Sequence, residues 1–221
     1  MTPEEILKAL YDETMVGNAP AVLELTAAGL DAGMSPNTLL FDALIPSLEE
    51  VGARFERGDW FVPEMLIAGK AMAGALEVLR PLLAQTGAET VGTFLMGTVK
   101  GDVHDIGKNL VNIMLEGAGF TVIDIGVQAA PEKFIAAIEE HKPDIVGMSA
   151  FLTTTMPMFK ANINAIEKAG LRDQVIIMVG GAPVTQEYAD VCGADGYAAD
   201  AATAVRRAKE LLATKRAGVT V

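Results

Sequence analysis

The chain has 221 residues, 29 acidic against 17 basic, for a formal net charge of −12. That balance argues against nonspecific binding to nucleic acid, whose phosphates are neutralised by Lys and Arg. Although 51% of the residues are apolar, no uninterrupted apolar run reaches the ~18 to 20 residues that cross a bilayer, so no membrane segment is expected.

The N-terminal Met1-Thr2-Pro3-Glu4-Glu5 reads as a helix start rather than a signal peptide: Thr2 caps, Pro3 sits in the first turn, and Glu5 completes a capping box. Residues 1 to about 85 carry helical periodicity in four segments divided at Gly17-Asn18-Ala19-Pro20, Gly33-Met34-Ser35-Pro36 and Gly58-Asp59-Trp60. A helical bundle over 1–86 follows, with a kink or break expected at Pro46. Gln85-Thr86-Gly87-Ala88-Glu89 has linker composition, and a hinge near Gly87 is expected. From Thr90 to about 215, strands (90–99, 121–126, 144–150, 174–180 and 196–199) alternate with helical patterns. The fold class is therefore α/β: a helical bundle, then a flavodoxin-like (Rossmann-type) doubly wound five-stranded parallel sheet with its switch point between strands one and three. Residues 216–221 form a frayed tail.

One of two histidines, His104, lies in Gly101-Asp102-Val103-His104-Asp105-Ile106-Gly107, between the first strand and a helix carrying Ile106, Leu110, Ile113 and Met114 at helical spacing. Open α/β sheets bind ligands at the carboxyl ends of strands, and a metal-binding imidazole fits that place. Taken alone, the tripeptide equally describes a helix cap hydrogen-bonded to a histidine. Two further strand ends alter the balance: Gly147-Met148-Ser149-Ala150-Phe151-Leu152-Thr153-Thr154-Thr155 after the third strand, and Val179-Gly180-Gly181-Ala182-Pro183 after the fourth. Ser149 and the Gly pair read in isolation as a polar strand end and a turn. Topology nevertheless sets His104 and Ser149 beside one crevice.

Together these segments resemble the cobalamin-binding signature of corrinoid proteins: Asp-x-His-x-x-Gly, Ser-x-Leu and Gly-Gly. The N-terminal Val51–Glu64 segment, with Trp60-Phe61-Val62-Pro63, resembles the helical domain of methyltransferase cognate corrinoid proteins, the family that serves methylamine, methanol, betaine and O-demethylase systems and is similar to the cobalamin-binding module of methionine synthase. Phe151 departs from the usual Leu of the second motif, which bears on packing around the cofactor tail.

The resemblance implies that cobalamin or a related corrinoid binds base-off/His-on. His104 would be the axial cobalt ligand, and Asp102 would hold its other ring nitrogen and act as a proton switch. Ser149 would reach the detached benzimidazole tail, and Gly180 and Gly181 would let backbone approach it. Gly107 would let the helix approach the cofactor, Phe151 would pack beside its tail, and Thr153, with Thr154 and Thr155, would reach tail phosphate or ribose. Trp60, Phe61 and Met65 would cap the upper face. The implied activity is methyl carriage between a substrate-specific methyltransferase and a second, corrinoid:acceptor methyltransferase that uses a thiol or a tetrahydrofolate-type acceptor, with a reductive activating protein as third partner. Such a subunit is not catalytic alone.

Two other classes share these motifs: a cobalamin-dependent sensor, which adds a DNA-binding module not expected around this acidic chain, and the cobalamin subunit of a radical mutase, which the Phe61-Val62-Pro63 segment disfavours. His141, before Pro143, reads as a solvated helix end. The lone Cys192 excludes an internal disulfide, reads as buried and structural, and makes the reducing cytoplasm the expected location.

Overall fold

The computed structural model describes residues 1–86 and 90–218. The chain divides into two compact units, residues 1–90 with 116–119, and residues 91–115 with 120–221.

In the helical unit, α1 (Pro3–Met15) carries the capping box read from its first residues: the Thr2 hydroxyl accepts the Glu5 amide and Glu5 accepts the Thr2 amide. The next two breaks use one device, a Gly stop followed by a side-chain cap and a Pro. Asn18 caps α2 (Ala19–Asp31) and Ser35 caps α3 (Pro36–Leu39). A π-helical turn over Leu40–Leu44 joins α3 to α4 (Ile45–Glu56), and α5 spans Val62–Thr86. The expected disruption at Pro46 takes the form of that widened turn. Pro46 has no N–H and its ring crowds the carbonyl four residues back, so the chain shifts to five-residue bonding just ahead of it, with the Ile45 amide on the Leu40 carbonyl. Gln85 and Thr86, read as linker, belong to α5; Gly87, the expected hinge, lies outside the described residues with Ala88 and Glu89.

The second unit is a five-stranded sheet of β1 (Thr93–Thr98), β2 (Thr121–Asp124), β3 (Ile145–Ser149), β4 (Ile176–Gly180) and β5 (Gly196–Ala198). Every pairing is parallel, in the order β2-β1-β3-β4-β5. The crossovers carry α6 (Ile106–Gly117), α7 (Pro131–His141), α8 (Pro157–Lys168) and α9 (Gln186–Cys192), and α10 (Ala201–Arg216) follows β5. The order reverses between β1 and β3, which is the switch point where such sheets open a crevice. Buried on both faces, β1, β3 and β4 read as continuous apolar runs. Phe134 of α7 and Phe159 of α8 are fully buried among Leu95, Val146 and Ile177.

Strand register determines what lies along the carboxyl edge. Thr98 pairs with Ser149, Ser149 with Gly180, and Gly180 with Ala198, so one row of small residues closes four strands. β2 ends earlier, where Asp124 turns the chain by accepting the Gly126 amide at 2.8 Å.

Packing inside the sheet leaves no room at Gly147, where an added Cβ would lie 2.4 Å from Phe94 Cε1 and 2.9 Å from Met96 Sδ. Gly147→Ala is expected to destabilise by about 1–3 kcal/mol, read as a lowered melting temperature. Gly74→Ala on α5, whose nearest neighbour would be Leu23 at 3.6 Å, is expected to hold or raise it through helix propensity.

Candidate functional site

The loop between β1 and α6 places His104 at the switch point. Thr98, the last residue of β1, donates its hydroxyl to the His104 carbonyl at 3.0 Å, and the Gln128 amide donates to the Asp102 carbonyl at 3.0 Å. The loop is thus held from the strand before it and from the β2–α7 connection.

Asp102 has no exposed surface, and its carboxylate sits at the centre of the site. One oxygen accepts the His104 amide at 3.0 Å and His104 Nδ1 at 2.6 Å. The other accepts the Phe151 amide at 2.8 Å, the Leu152 amide at 3.2 Å and the Thr155 hydroxyl at 2.8 Å. Burial opposes ionisation of this carboxyl, but the donors from His104, Thr155 and Phe151 outweigh it and hold the pKa well below the usual carboxylate range.

An ionised Asp102 accepts hydrogen bonds only, so Nδ1 of His104 carries an N–H toward it, and in the neutral ring Nε2 holds the lone pair. The His104 side chain is 44% exposed, and its ring stacks on Phe151 with centroids 4.4 Å apart and planes inclined by 28°. The departure from Leu at this position therefore gives the imidazole an aromatic neighbour. Val103 on the same loop, Ile106 at the start of α6, and Phe151 and Leu152 on the β3–α8 connection leave apolar surface exposed.

The other residues singled out in the sequence fall on the same edge. The Ser149 carbonyl accepts the Val99 amide at 3.0 Å, while its hydroxyl has no hydrogen-bond partner among the described residues. Gly180 is its register neighbour. Gly181 is obligatory: its φ is +131°, and a Cβ would lie 1.9 Å from the Ala150 carbonyl oxygen. Gly107, in the first turn of α6, would meet nothing within 4 Å. Thr153 is exposed in the turn after β3.

Thr155, grouped with Thr153 as a tail contact, is instead buried and turned onto Asp102. Its place, two turns of chain beyond the strand end, left no periodic signal. In the helical unit Trp60 is partly buried under the Arg54 guanidinium, 4.9 Å from the ring centroid, and Phe61 is exposed. Met65 does not join them at the surface: it is fully buried, as an apolar residue three positions into a packed helix tends to be. Cys192 is buried, with burial pushing its thiol pKa up, and His141 ends α7.

Among the described residues no three His, Cys, Asp or Glu side chains converge to cage a bare ion. One imidazole with a fixed tautomer, ringed by apolar surface, suits a metal that brings its own planar set of donors. A corrin meets that requirement.

Comparison with known proteins agrees. A family model described as a B12 binding domain matches residues 92–206, and a second B12 binding domain model matches residues 6–80; both units thus carry the pattern of cobalamin-binding proteins. The dimethylamine corrinoid protein 1 of Methanosarcina acetivorans is 40% identical over 214 residues, covering 96% of this chain and 100% of that one. The trimethylamine corrinoid protein 1 of the same organism is 38% identical over 211 residues, covering 95% and 98%. The methanol:cobalamin methyltransferase complex MtaBC from Methanosarcina barkeri superposes with a TM-score of 0.84 at 30% identity, over 95% of this chain and 80% of that one. The chain belongs to the family of methyl-carrying, methyltransferase cognate corrinoid proteins, and its cofactor is cobalamin or a related corrinoid.

The Asp102 network makes a stability prediction with a defined sign. Because the folded carboxyl titrates below its unfolded value, its contribution is complete above the unfolded pKa of about 4 and erodes as pH falls from there toward the folded pKa. Asp102→Ala is expected to cost at least about 2 kcal/mol at neutral pH, with the gap from wild type narrowing below about pH 4 in denaturant titrations run across pH.

Proposed function

We propose that this chain binds its corrinoid base-off, with His104 Nε2 as the axial ligand, and carries a methyl group from a substrate-specific methyltransferase to a corrinoid:acceptor methyltransferase serving a thiol or folate-type acceptor. When bound, the corrinoid supplies a cobalt centre that accepts and surrenders a methyl group. The observation that carries the reading is the imidazole itself, tied through Nδ1 to a buried, ionised Asp102 and left with an unengaged Nε2 on an apolar edge.

Each residue then has a task. Asp102 fixes the ring tautomer and, as the proton switch, balances the charge of an imidazole that takes a proton at Nε2. Phe151 holds the ring plane by stacking. Ser149 and Thr153 offer hydroxyls to the detached tail, and Gly180 and Gly181 let the backbone lie against it. Gly107 gives the cofactor access to the first turn of α6. In the helical unit, Trp60 and the exposed Phe61 supply an apolar surface of the kind the resemblance assigns to a cap.

The names of the dimethylamine and trimethylamine relatives favour a methylated amine as donor, and hence an amine methyltransferase as the donor-side partner. A reductive activating protein restores the carrier after adventitious oxidation. No helix among the described residues is long and apolar enough to cross a membrane, and the lone buried Cys192 accords with a cytoplasmic setting.

The test is loading with hydroxocobalamin followed by desalting and ultraviolet-visible spectroscopy. Wild type is expected to retain one equivalent with an imidazole-ligated spectrum that His104→Ala lacks; a wild-type chain that retains no corrinoid sinks the reading. Gly107→Ala is expected to leave the melting temperature of the cofactor-free chain unchanged, since a Cβ there meets nothing within 4 Å, while weakening corrinoid retention. Trp60 is the only tryptophan, so its emission should fall on loading if it lies beside the cofactor, and unaltered emission removes it from the cap.

A further inference from the structure

Lys108 is only 3% exposed, although two forces oppose a cation there. Burial strips its hydration, and its place in the first turn of α6 sets it against the positive end of the helix dipole. A lysine in that position is costly, and nothing in the proposed chemistry uses it. Its ammonium donates to Asn109 Oδ1 at 2.8 Å and to Asp124 Oδ2.

Asp124 closes β2 with its side chain 35% exposed, and both its oxygens accept hydrogen bonds. Besides Lys108 it accepts the Asn112 side-chain amide at 3.0 Å and the Gly126 amide at 2.8 Å. From Gly126 onward the same connection runs against the His104 loop. The Gly126 carbonyl accepts the Thr98 amide at 2.9 Å, the Gln128 amide donates to the Asp102 carbonyl at 3.0 Å, and the Ala129 amide donates to the Thr98 carbonyl at 2.9 Å. Gln128 is held at a φ of +52° to do so. The His104 loop is therefore gripped at its start through Thr98, at its middle through Asp102, and at its end through Lys108, one helical turn beyond His104. All three grips lead back to the segment that Asp124 anchors.

We propose that the Lys108–Asp124 pair is a positioning device for His104: it locks the first turn of α6 to the connection after β2 and so sets the reach of the imidazole Nε2 toward cobalt. The inference rests on the corrinoid reading above. A pair kept for stability alone would be replaceable by apolar residues with little consequence for the imidazole, whereas a positioning pair is felt in the ligand bond itself.

The experiment uses the full chain loaded with hydroxocobalamin and reduced to the Co(II) state. The axial imidazole is read from its nitrogen splitting in the electron paramagnetic resonance spectrum, and cofactor content from absorbance. Lys108→Met is expected to retain one equivalent of corrinoid while the ratio of imidazole-ligated to unligated cobalt falls ~10-fold, the lower end of what outer partners of metal ligands contribute. A wild-type ratio in that variant overturns the proposal. Should circular dichroism show Lys108→Met unfolded, Asp124→Asn, which preserves shape and one acceptor oxygen, is read in the same way, and an unchanged ratio there overturns it equally. Failure of the wild-type chain to hold corrinoid overturns this inference together with the reading beneath it; an imidazole-ligated wild type beside an unchanged variant overturns this inference alone.

Discussion

A negative charge kept entirely out of water is the constraint around which the carboxyl edge of the sheet is organised. An isolated buried carboxylate would cost several kcal/mol and would take up a proton instead. Asp102 stays ionised because donors from two different connections converge on it: the amide and ring of His104 from the loop after β1, and the amides of Phe151 and Leu152 with the Thr155 hydroxyl from the loop after β3. The same bonds tie those loops together across the switch point. The imidazole tautomer, the stacking of Phe151 and the outward lone pair of His104 all follow from one carboxylate being satisfied in one geometry.

The sheet supplies the precision that such a knot needs. Parallel pairing brings all strand ends to one edge, and the register sets Thr98, Ser149, Gly180 and Ala198 side by side. Thr98 and Ala198 are buried in that row, and Ser149 and Gly180 are partly exposed. At Gly181 the fit is absolute, because the Ala150 carbonyl occupies the space of a side chain. Loops that hold function are thus mounted on strands whose own core, around Phe134, Phe159 and Leu95, is closed to solvent.

Much of this was legible in the chain. Gly, cap and Pro punctuation marked the helices, β-branched runs marked the strands, and strand order followed from crossover rules, so His104 and Ser149 could be assigned to one crevice. The site's interior was less legible. Thr155 looked like one of three equivalent threonines, since only the fold shows which hydroxyl faces a buried charge. Lys108 gave a faint signal, a cation seven residues before buried Leu115 on the packed face of α6. Its partner Asp124 lay across a strand that sequence spacing does not connect to it. Met65 followed Phe61 in the text of the sequence but sits buried, and the π turn before Pro46 is a response to a missing hydrogen bond that composition alone cannot choose over a kink.

The division of labour between the two edges of the sheet has a practical side. The reversals at the amino ends of the strands, such as the turn carrying the exposed Asp173 between α8 and β4, lie a full strand length from the row that ends at Ser149 and Gly180. A dye, an affinity handle or a short tether attached there would ride on the rigid sheet a strand's length from Asp102 and His104, which makes this protein a ready immobilised carrier for following methyl traffic one molecule at a time.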